Sequence, residues 1–289
     1  AFTLGQVSSG GSGDARGGVN STGVDHIACC WKLGGAAVTN PNGTISSTIS
    51  ANTTTQISSV LYTGTNAAGT VGHGLSGPPD FAMISEIGGS SNYNHWGWSR
   101  HLSGTSGGAG FWSGINTTNN WDNGVTTFHG GVTNTTVGWT ASGQYGNESG
   151  KQFNIFFFRE VEGFSSIGFY HGNGYNVNPP EVKTGFRPKM ILIKSVEGSG
   201  NWVIHTDQQD FNYNERPLFL NLSNQEGTET GRGIIFLSDG FRINNLGSPN
   251  ADMNTDNIKY FYMAFAAHPT KYSASSFFSD FSTSQNLTA

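Results

Sequence analysis

Ser58-Ser-Val-Leu-Tyr-Thr-Gly-Thr65 recurs at an offset of 107 as Ser165-Ser-Ile-Gly-Phe-Tyr-His-Gly172, and each copy leads through a proline into a purely apolar run. After Pro79 comes Asp-Phe-Ala-Met-Ile-Ser85, and after Pro188 comes Lys-Met-Ile-Leu-Ile-Lys194. Each copy closes on an aromatic segment, Phe153-Asn-Ile-Phe-Phe-Phe158 and Tyr260-Phe-Tyr-Met-Ala-Phe265, with the same offset between them. A third closing segment, Ile27-Ala-Cys-Cys-Trp31, has no opening half before it. A period this long is that of a whole domain, large enough to bury its own core. The pattern therefore predicts two complete units preceded by the tail of another, as in part of a longer array.

Composition agrees with a turn-rich β protein. Glycine supplies 42 of 289 residues and only 11% are charged, which argues against long amphipathic helices. Aromatics at 12%, placed in regular apolar runs, are too many for a chain that buries nothing. Near-continuous apolarity in Phe81 to Ile84 and Met190 to Ile193 predicts central strands covered on both faces. Proline just before them is tolerated because a strand's first residue need not donate to the ladder. Trp96-Gly-Trp98 and Asn201-Trp-Val-Ile204 follow as tryptophan strands, and period-2 alternation sends Trp96 and Trp98 to one face. Asp239-Gly240 between two apolar runs predicts a hairpin. The fold class expected is all-β, with two tandem antiparallel β-sandwich repeats of jelly-roll type.

The boundaries expected are 1–33 for the C-terminal strands of a preceding unit, 34–56 for a linker with at most a short added strand, 57–163 for the first repeat and 164–270 for the second. Residues 271–289, Ser-rich with Phe277, Phe278 and Phe281, form a C-terminal segment that is either frayed or an arm laid on a neighbour. Because almost nothing separates Phe158 from Ser165, the two repeats should dock closely.

Net charge of −5 with 14 Lys and Arg leaves no basic stripe for phosphate, so nucleic acid is not an expected partner. Membrane insertion is not expected either, since no apolar stretch approaches the ~20 residues of a span. Adjacent Cys29 and Cys30 point to opposite faces of a strand, lack metal-site spacing, and read as small apolar fillers. Eight histidines are scattered without a ligand motif; His95 and His101 are the only close pair. No metal or cofactor is predicted. Glu160 and Glu162 would share a strand face, as paired glycosidase carboxylates must, but their place between the units suits a solvated charge pair better. With no nucleophile elbow or P-loop, no enzymatic activity is predicted.

Tyr62-Thr-Gly-Thr with Gly72-His-Gly-Leu75, Gly185-Phe-Arg-Pro-Lys-Met-Ile-Leu-Ile-Lys194, Asn201-Trp202, Phe236-Leu-Ser-Asp-Gly-Phe241 and Tyr262-Met-Ala-Phe-Ala266 resemble the tandem repeats of tail-fibre-like virion proteins of marine tailed bacteriophages. The resemblance covers about residues 25 to 270. It implies a structural protein of the virion, a tail fibre or a head fibre or decoration, with other virion proteins as partners and a homo-oligomeric, trimeric state. A host cell-surface glycan or protein is a further partner expected for such a particle component, through its aromatic residues. A cellular carbohydrate-binding adhesin module and a glycan depolymerase are the alternatives.

Within the first repeat, Ser103 to Gly110 and Asn116 to Asn123 depart from the second, and the aromatics Tyr93, Trp96, Trp112 and Trp121 crowd that stretch. Aromatic faces stack on sugars and anchor interfaces, so these four are the candidate binding residues. The competing reading puts tryptophans in the core, and Trp98, matched by position to Trp202, is read that way.

Overall fold

The apolar runs after Pro79 and Pro188 are middle strands of two sheets. The computed structural model describes residues 30–87, 95–102, 111–119, 122–126, 128, 130–140, 146–175, 177–207, 216–222, 232–244 and 252–267. The chain divides into a unit Ala1–Lys32 and a unit Leu33–Ala289 that holds every described strand. In the first repeat the strands are β1 (Val38–Thr39), β2 (Ser47–Asn52), β3 (Ile57–Thr63), β4 (Gly69–Gly72), β5 (Phe81–Ile87), β6 (His95–Ser99), β7 (Phe111–Gly114), β8 (Asp122–Thr126), β9 (Gly131–Val132), β10 (Thr136–Trp139) and β11 (Gln152–Phe158). The second has β12 (Ser165–His171), β13 (Glu181–Lys183), β14 (Met190–Ser195), β15 (Trp202–Thr206), β16 (Leu218–Phe219), β17 (Gly233–Leu237), β18 (Gly240–Asn244) and β19 (Lys259–Phe265). The only helical turn among the described residues is a 3-10 turn, Arg100–Leu102.

Both repeats share one topology. A large antiparallel sheet runs β1-β2-β3-β11-β5-β6-β7-β8 in the first and β12-β19-β14-β15-β16 in the second; the small sheets are β4-β10-β9 and β13-β18-β17. The strand that opens the shared pattern (β3, β12) lies beside the last (β11, β19), and the one after it (β4, β13) beside the next-to-last (β10, β18), the nested pairing of a jelly roll. The departure lies in β5-β6 and β14-β15, which stay together in one sheet as antiparallel neighbours. Between large and small sheets lie two cores. Trp96, Trp98, Phe128, Trp139, Phe153 and Phe157 anchor the first, and Phe241, Tyr260, Tyr262, Ile191, Val203 and Ile243 the second.

The outer faces of the large sheets are also buried where they meet each other, around Phe81 and Phe158 in the first repeat and across most of the second. Phe81, Phe158, Leu192, Trp202, Phe261 and Met263 are each at most 1% exposed, yet alternation aims all six away from their own sandwich cores. Phe81 stacks on Phe261 at 5.0 Å and Phe158 meets Phe265 at 6.0 Å. Trp202 lies near Phe81 and donates its Nε1–H to Gly114 O at 2.9 Å, so a ring of the second repeat is hydrogen-bonded into the first. Gly97 makes room for it, since a Cβ there would come within 3.1 Å of the indole. Fully burying a large apolar side chain contributes about 1.5–3 kcal/mol. Six of them make this interface a third core. The close docking expected from the short connector is what the fold contains.

Several expectations are corrected. Residues 34–56 are not a linker: β2 pairs with β3 along six residues, and Ile45 and Ile49 enter the first core. The opening strands are equivalent at an offset of 108, not 107, because Ile57 faces Phe158 where Ser165 faces Phe265. Tyr62 therefore corresponds to Tyr170, both inward, whereas the 107 offset matches it to Phe169, which points outward; a slip of one residue exchanges the faces. Trp98 corresponds to His205, not Trp202, since Ala82 pairs with Trp98 as Ile191 pairs with His205. Cys30 and Trp31 lie outside any strand and Cys30 is exposed, while Ile27 to Cys29 and the C-terminal segment lie outside the described residues. The hairpin at Asp239 is present, but its two-residue turn is Ser238-Asp239. Gly240 serves close approach instead, for a Cβ there would lie 2.0 Å from Val182 O.

Candidate functional site

The sequence candidates do not come together as one site. Trp96 is 4% exposed within the first core, so no ring face is open to a ligand. Trp98 is buried beside it, edge-on to Phe128 at 5.1 Å. Trp112 lies on β7, its backbone opposite Trp98. Tyr93 and Trp121 lie outside the described residues. The stretch in which the repeats differ is also where they touch: Gly114 accepts from Trp202, and Thr118 O accepts both Gly200 N at 2.9 Å and Lys194 Nζ at 3.2 Å. Part of that divergence thus serves docking.

Glu160 and Glu162 do not share a strand face. They lie in the connector between β11 and β12, where the Glu160 carboxylate accepts Ile167 N at 2.8 Å and its own amide donates to Asp80. Asp80, 3% exposed, also accepts from His101 Nε2 at 2.9 Å and from Arg100. Burial alone would raise its pKa, but the hydrogen bonds from His101, Glu160 N and Arg100, with the Arg100 charge, bring it down to about 2. Asp80 and Arg100 have Lys189 and Asp207 as counterparts, an ion pair of reversed sense. His95 contacts Ser85 Oγ through Nδ1 at 2.9 Å, so the two close histidines serve separate partners.

Comparing the repeats separates what the fold needs from what it displays. At one end of each sandwich the first strand, the loop after it and the loop before the last strand are clasped together. In the first repeat Tyr62 OH donates to Gly146 O, and the fully buried Asn147 accepts Thr65 N at 2.8 Å while donating to Ala67 O at 2.9 Å. In the second, Tyr170 OH donates to Met253 O at 2.8 Å, and the fully buried Asn254 accepts Asn173 N at 2.8 Å while donating to Tyr175 O at 3.3 Å. Gly64 and Gly172 sit inside the clasps, where a Cβ would stand 2.3 Å from Glu148 O and 2.1 Å from Thr255 O. This is why Tyr-x-Gly recurs. Burial raises the pKa of both tyrosines well above the ordinary value, with Glu148 adding to the effect at Tyr62 and Tyr260 at Tyr170, so both phenols keep the proton they donate.

The tips held by the two clasps differ. In the first repeat the loop is short, Thr65-Asn-Ala-Ala68, and the neighbouring groups are charged: Lys151 Nζ bonds the buried Glu86 at 3.2 Å, and burial raises the pKa of Glu148. In the second the loop runs from Asn173 to Pro180 and presents Tyr175, 68% exposed, and Val177, 98% exposed. Asn173 Oδ1 accepts Tyr175 N at 3.1 Å and its Nδ2 donates to Asn178 O at 2.7 Å, so the backbone is pinned at Tyr175 and at Asn178. Asp256 and Asn257, both exposed, belong to the facing loop, which touches the first at Gly174. A rigid frame carrying variable loops is how many sandwich proteins place recognition. Nothing in the sequence marks Tyr175: one tyrosine among asparagines has no motif, and only alignment of the two clasps singles it out.

Among the described residues no three His, Cys, Asp or Glu side chains gather as a metal site would require, and no helix is long and apolar enough to cross a membrane. No curated protein and no solved structure matches the chain. Residues 2–269 match the family described as Domain of unknown function (DUF7483), and the chain belongs to that family.

Proposed function

We propose that the protein is a non-enzymatic structural component of a bacteriophage virion, a tail fibre or a head-attached fibre or decoration, that meets the host surface through loops at the ends of its sandwiches. One observation carries this reading: two sandwiches are joined through a buried, largely aromatic layer, and each holds a loop on an equivalent clasp. Such construction suits a stiff display element. The tail-fibre-like resemblance of the repeats supplies the setting. Other virion proteins and further copies of the chain, in a trimer, are the partners this reading implies.

Imaging of intact particles by cryo-electron microscopy, with an antibody fragment against the chain as marker, tests it. Density at the tail or capsid surface is expected, and absence from purified particles refutes it. A cellular carbohydrate-binding adhesin is the second reading, favoured by the exposed Tyr175 tip, and the same experiment separates the two. A glycan depolymerase is the third reading, and the placement of Glu160 and Glu162 in the connector rather than on one strand face does not favour it.

A further inference from the structure

We infer that the tip formed by Tyr175, Val177 and Asn178 with Asp256 and Asn257 is a binding site for an uncharged saccharide, stacked on the Tyr175 ring. This deepens the proposed host contact and rests on it only for its biological setting.

Three features point to a sugar rather than a protein partner. A tyrosine left 68% exposed presents one ring, about the footprint of one pyranose, whereas a stable protein interface needs roughly 800 Å² per partner around an apolar centre. The rim is amide and carboxylate: Asn178, Asp256 and Asn257 are exposed and can pair with hydroxyl groups. The backbone is already ordered, since Asn173 and the fully buried Asn254 hold both ends of the Tyr175 peptide. A small ligand then meets little ordering cost. The loop from Asn173 to Pro180 contains no Lys, Arg, Asp or Glu, and Asp256 is the single charge assigned to the site, so an anionic glycan is disfavoured.

The first repeat serves as an internal control. Its clasp holds Asn66 and Ala67 where the second holds Gly174 and Tyr175, so the same frame there lacks a ring.

The test is saturation-transfer NMR on the whole chain with methyl glycosides of galactose, glucose, mannose and N-acetylglucosamine. At least one should saturate with millimolar affinity, as a ligand this small allows. Tyr175→Ala should weaken it by about fivefold or more and Tyr175→Trp should retain it, because the ring rather than the hydroxyl makes the contact. The position is exposed, so unchanged thermal unfolding verifies that both variants fold. Absence of a saturable signal from all four glycosides up to about 50 mM, well above what one stacked ring should require, overturns the site. So does a signal that Tyr175→Ala leaves intact. Particle localisation without sugar binding refutes this inference and leaves the structural role standing; sugar binding by a chain absent from particles does the reverse.

Discussion

Lys194 is the side chain whose replacement tests the docking of the repeats most directly. It is 0% exposed, aimed from β14 at the first repeat, and its Nζ donates to Gly200 O at 2.6 Å and to Thr118 O at 3.2 Å. Burial depresses its pKa from 10.5 to about 8, and the nearby Asp252 charge offsets only part of this. Between about pH 8 and 10.5 the unfolded chain holds the proton and the folded chain does not, so stability rises with pH across that window. The rise is about 3 kcal/mol, which is also the cost of burying the charge at neutral pH. Lys194→Met removes that cost but leaves Gly200 O without its ammonium donor, while Thr118 O keeps the Gly200 amide. The two effects nearly cancel, so at pH 7 the variant should lie within about 2 kcal/mol of the parent. At about pH 10 it should fall behind, because it lacks the pH-dependent gain. Urea unfolding of both proteins from pH 7 to 10, followed by tryptophan fluorescence, reads the difference. The raised tyrosine pKa values make both lose stability above about pH 10, and that loss cancels in the comparison. A parent-minus-variant difference that stays flat over the window, or a loss above about 4 kcal/mol at pH 7, would refute this account of Lys194.

Further outcomes follow from the clasps and the connector. Gly64→Ala and Gly172→Ala each drive a Cβ into a backbone carbonyl and should lower the melting temperature sharply, whereas Gly35→Ala, with open space but a φ of +106°, should cost only about 1 kcal/mol of strain. Tyr62→Phe and Tyr170→Phe each orphan a carbonyl and should cost similar amounts, about 1–2 kcal/mol in urea unfolding; a large disparity would argue against equivalent clasps. Asp80, with its pKa lowered to about 2, stabilises the fold above its ordinary value of 3.8, and that contribution of about 2 kcal/mol disappears as pH falls through 2. Asp80→Asn should accordingly flatten the acid limb of the stability curve. Gly97→Val should disturb the Trp202 indole and loosen the two repeats, detectable as increased protease cleavage in the connector at 159–164.

The part of the fold legible in the sequence is the part governed by local rules. Apolar runs after proline are β5 and β14, and the aromatic closing segments are β11 and β19, because hydrophobic alternation and proline chemistry act within a few residues. The register between copies is less secure. The strands around Phe81 and Met190 correspond at an offset of 109, those around Tyr62 and Tyr170 at 108, and the closing strands at 107, so short insertions and deletions slide the strands past a single offset. Each odd step reverses which face a side chain occupies; β6 and β15 correspond at 107, whereas matching Trp98 to Trp202 spans 104, an odd slip of three that puts Trp202 on the wrong face. Ile45 and Ile49 escape a sequence reading because Ile45 lies just outside a strand and β2, which carries Ile49, is Ser/Thr-rich and lacks a strong alternating signal. The Tyr175 tip escapes it because its significance lies in what Asn254 and Asn173 do to the backbone, through contacts between residues far apart in the chain.

The aromatic interface also bears on the array that the repetition implies. Phe158 and Phe265 are equivalent residues, and they contact each other. Contact between equivalent positions is what a two-fold, self-complementary interface produces, and such an interface closes on two members. In a head-to-tail array each unit would offer one surface forward and a different one back. Here both large sheets turn their outer face to the partner, and the residues at which they meet, Phe81, Phe158, Trp202 and Phe261, are at most 1% exposed. A third unit cannot be added by this contact. If the protein extends into a fibre, the building block is the docked pair, and successive pairs must join through surfaces other than this aromatic layer. The clasped ends and the sheet edges β1 and β16 are available for that, and of these two edges only β1 presents an exposed large apolar side chain, Val38 at 62%. An edge strand so exposed is a natural place for strand addition. Val38→Lys should then lower self-association in analytical ultracentrifugation without lowering thermal stability, and unchanged association would place the joint between pairs elsewhere.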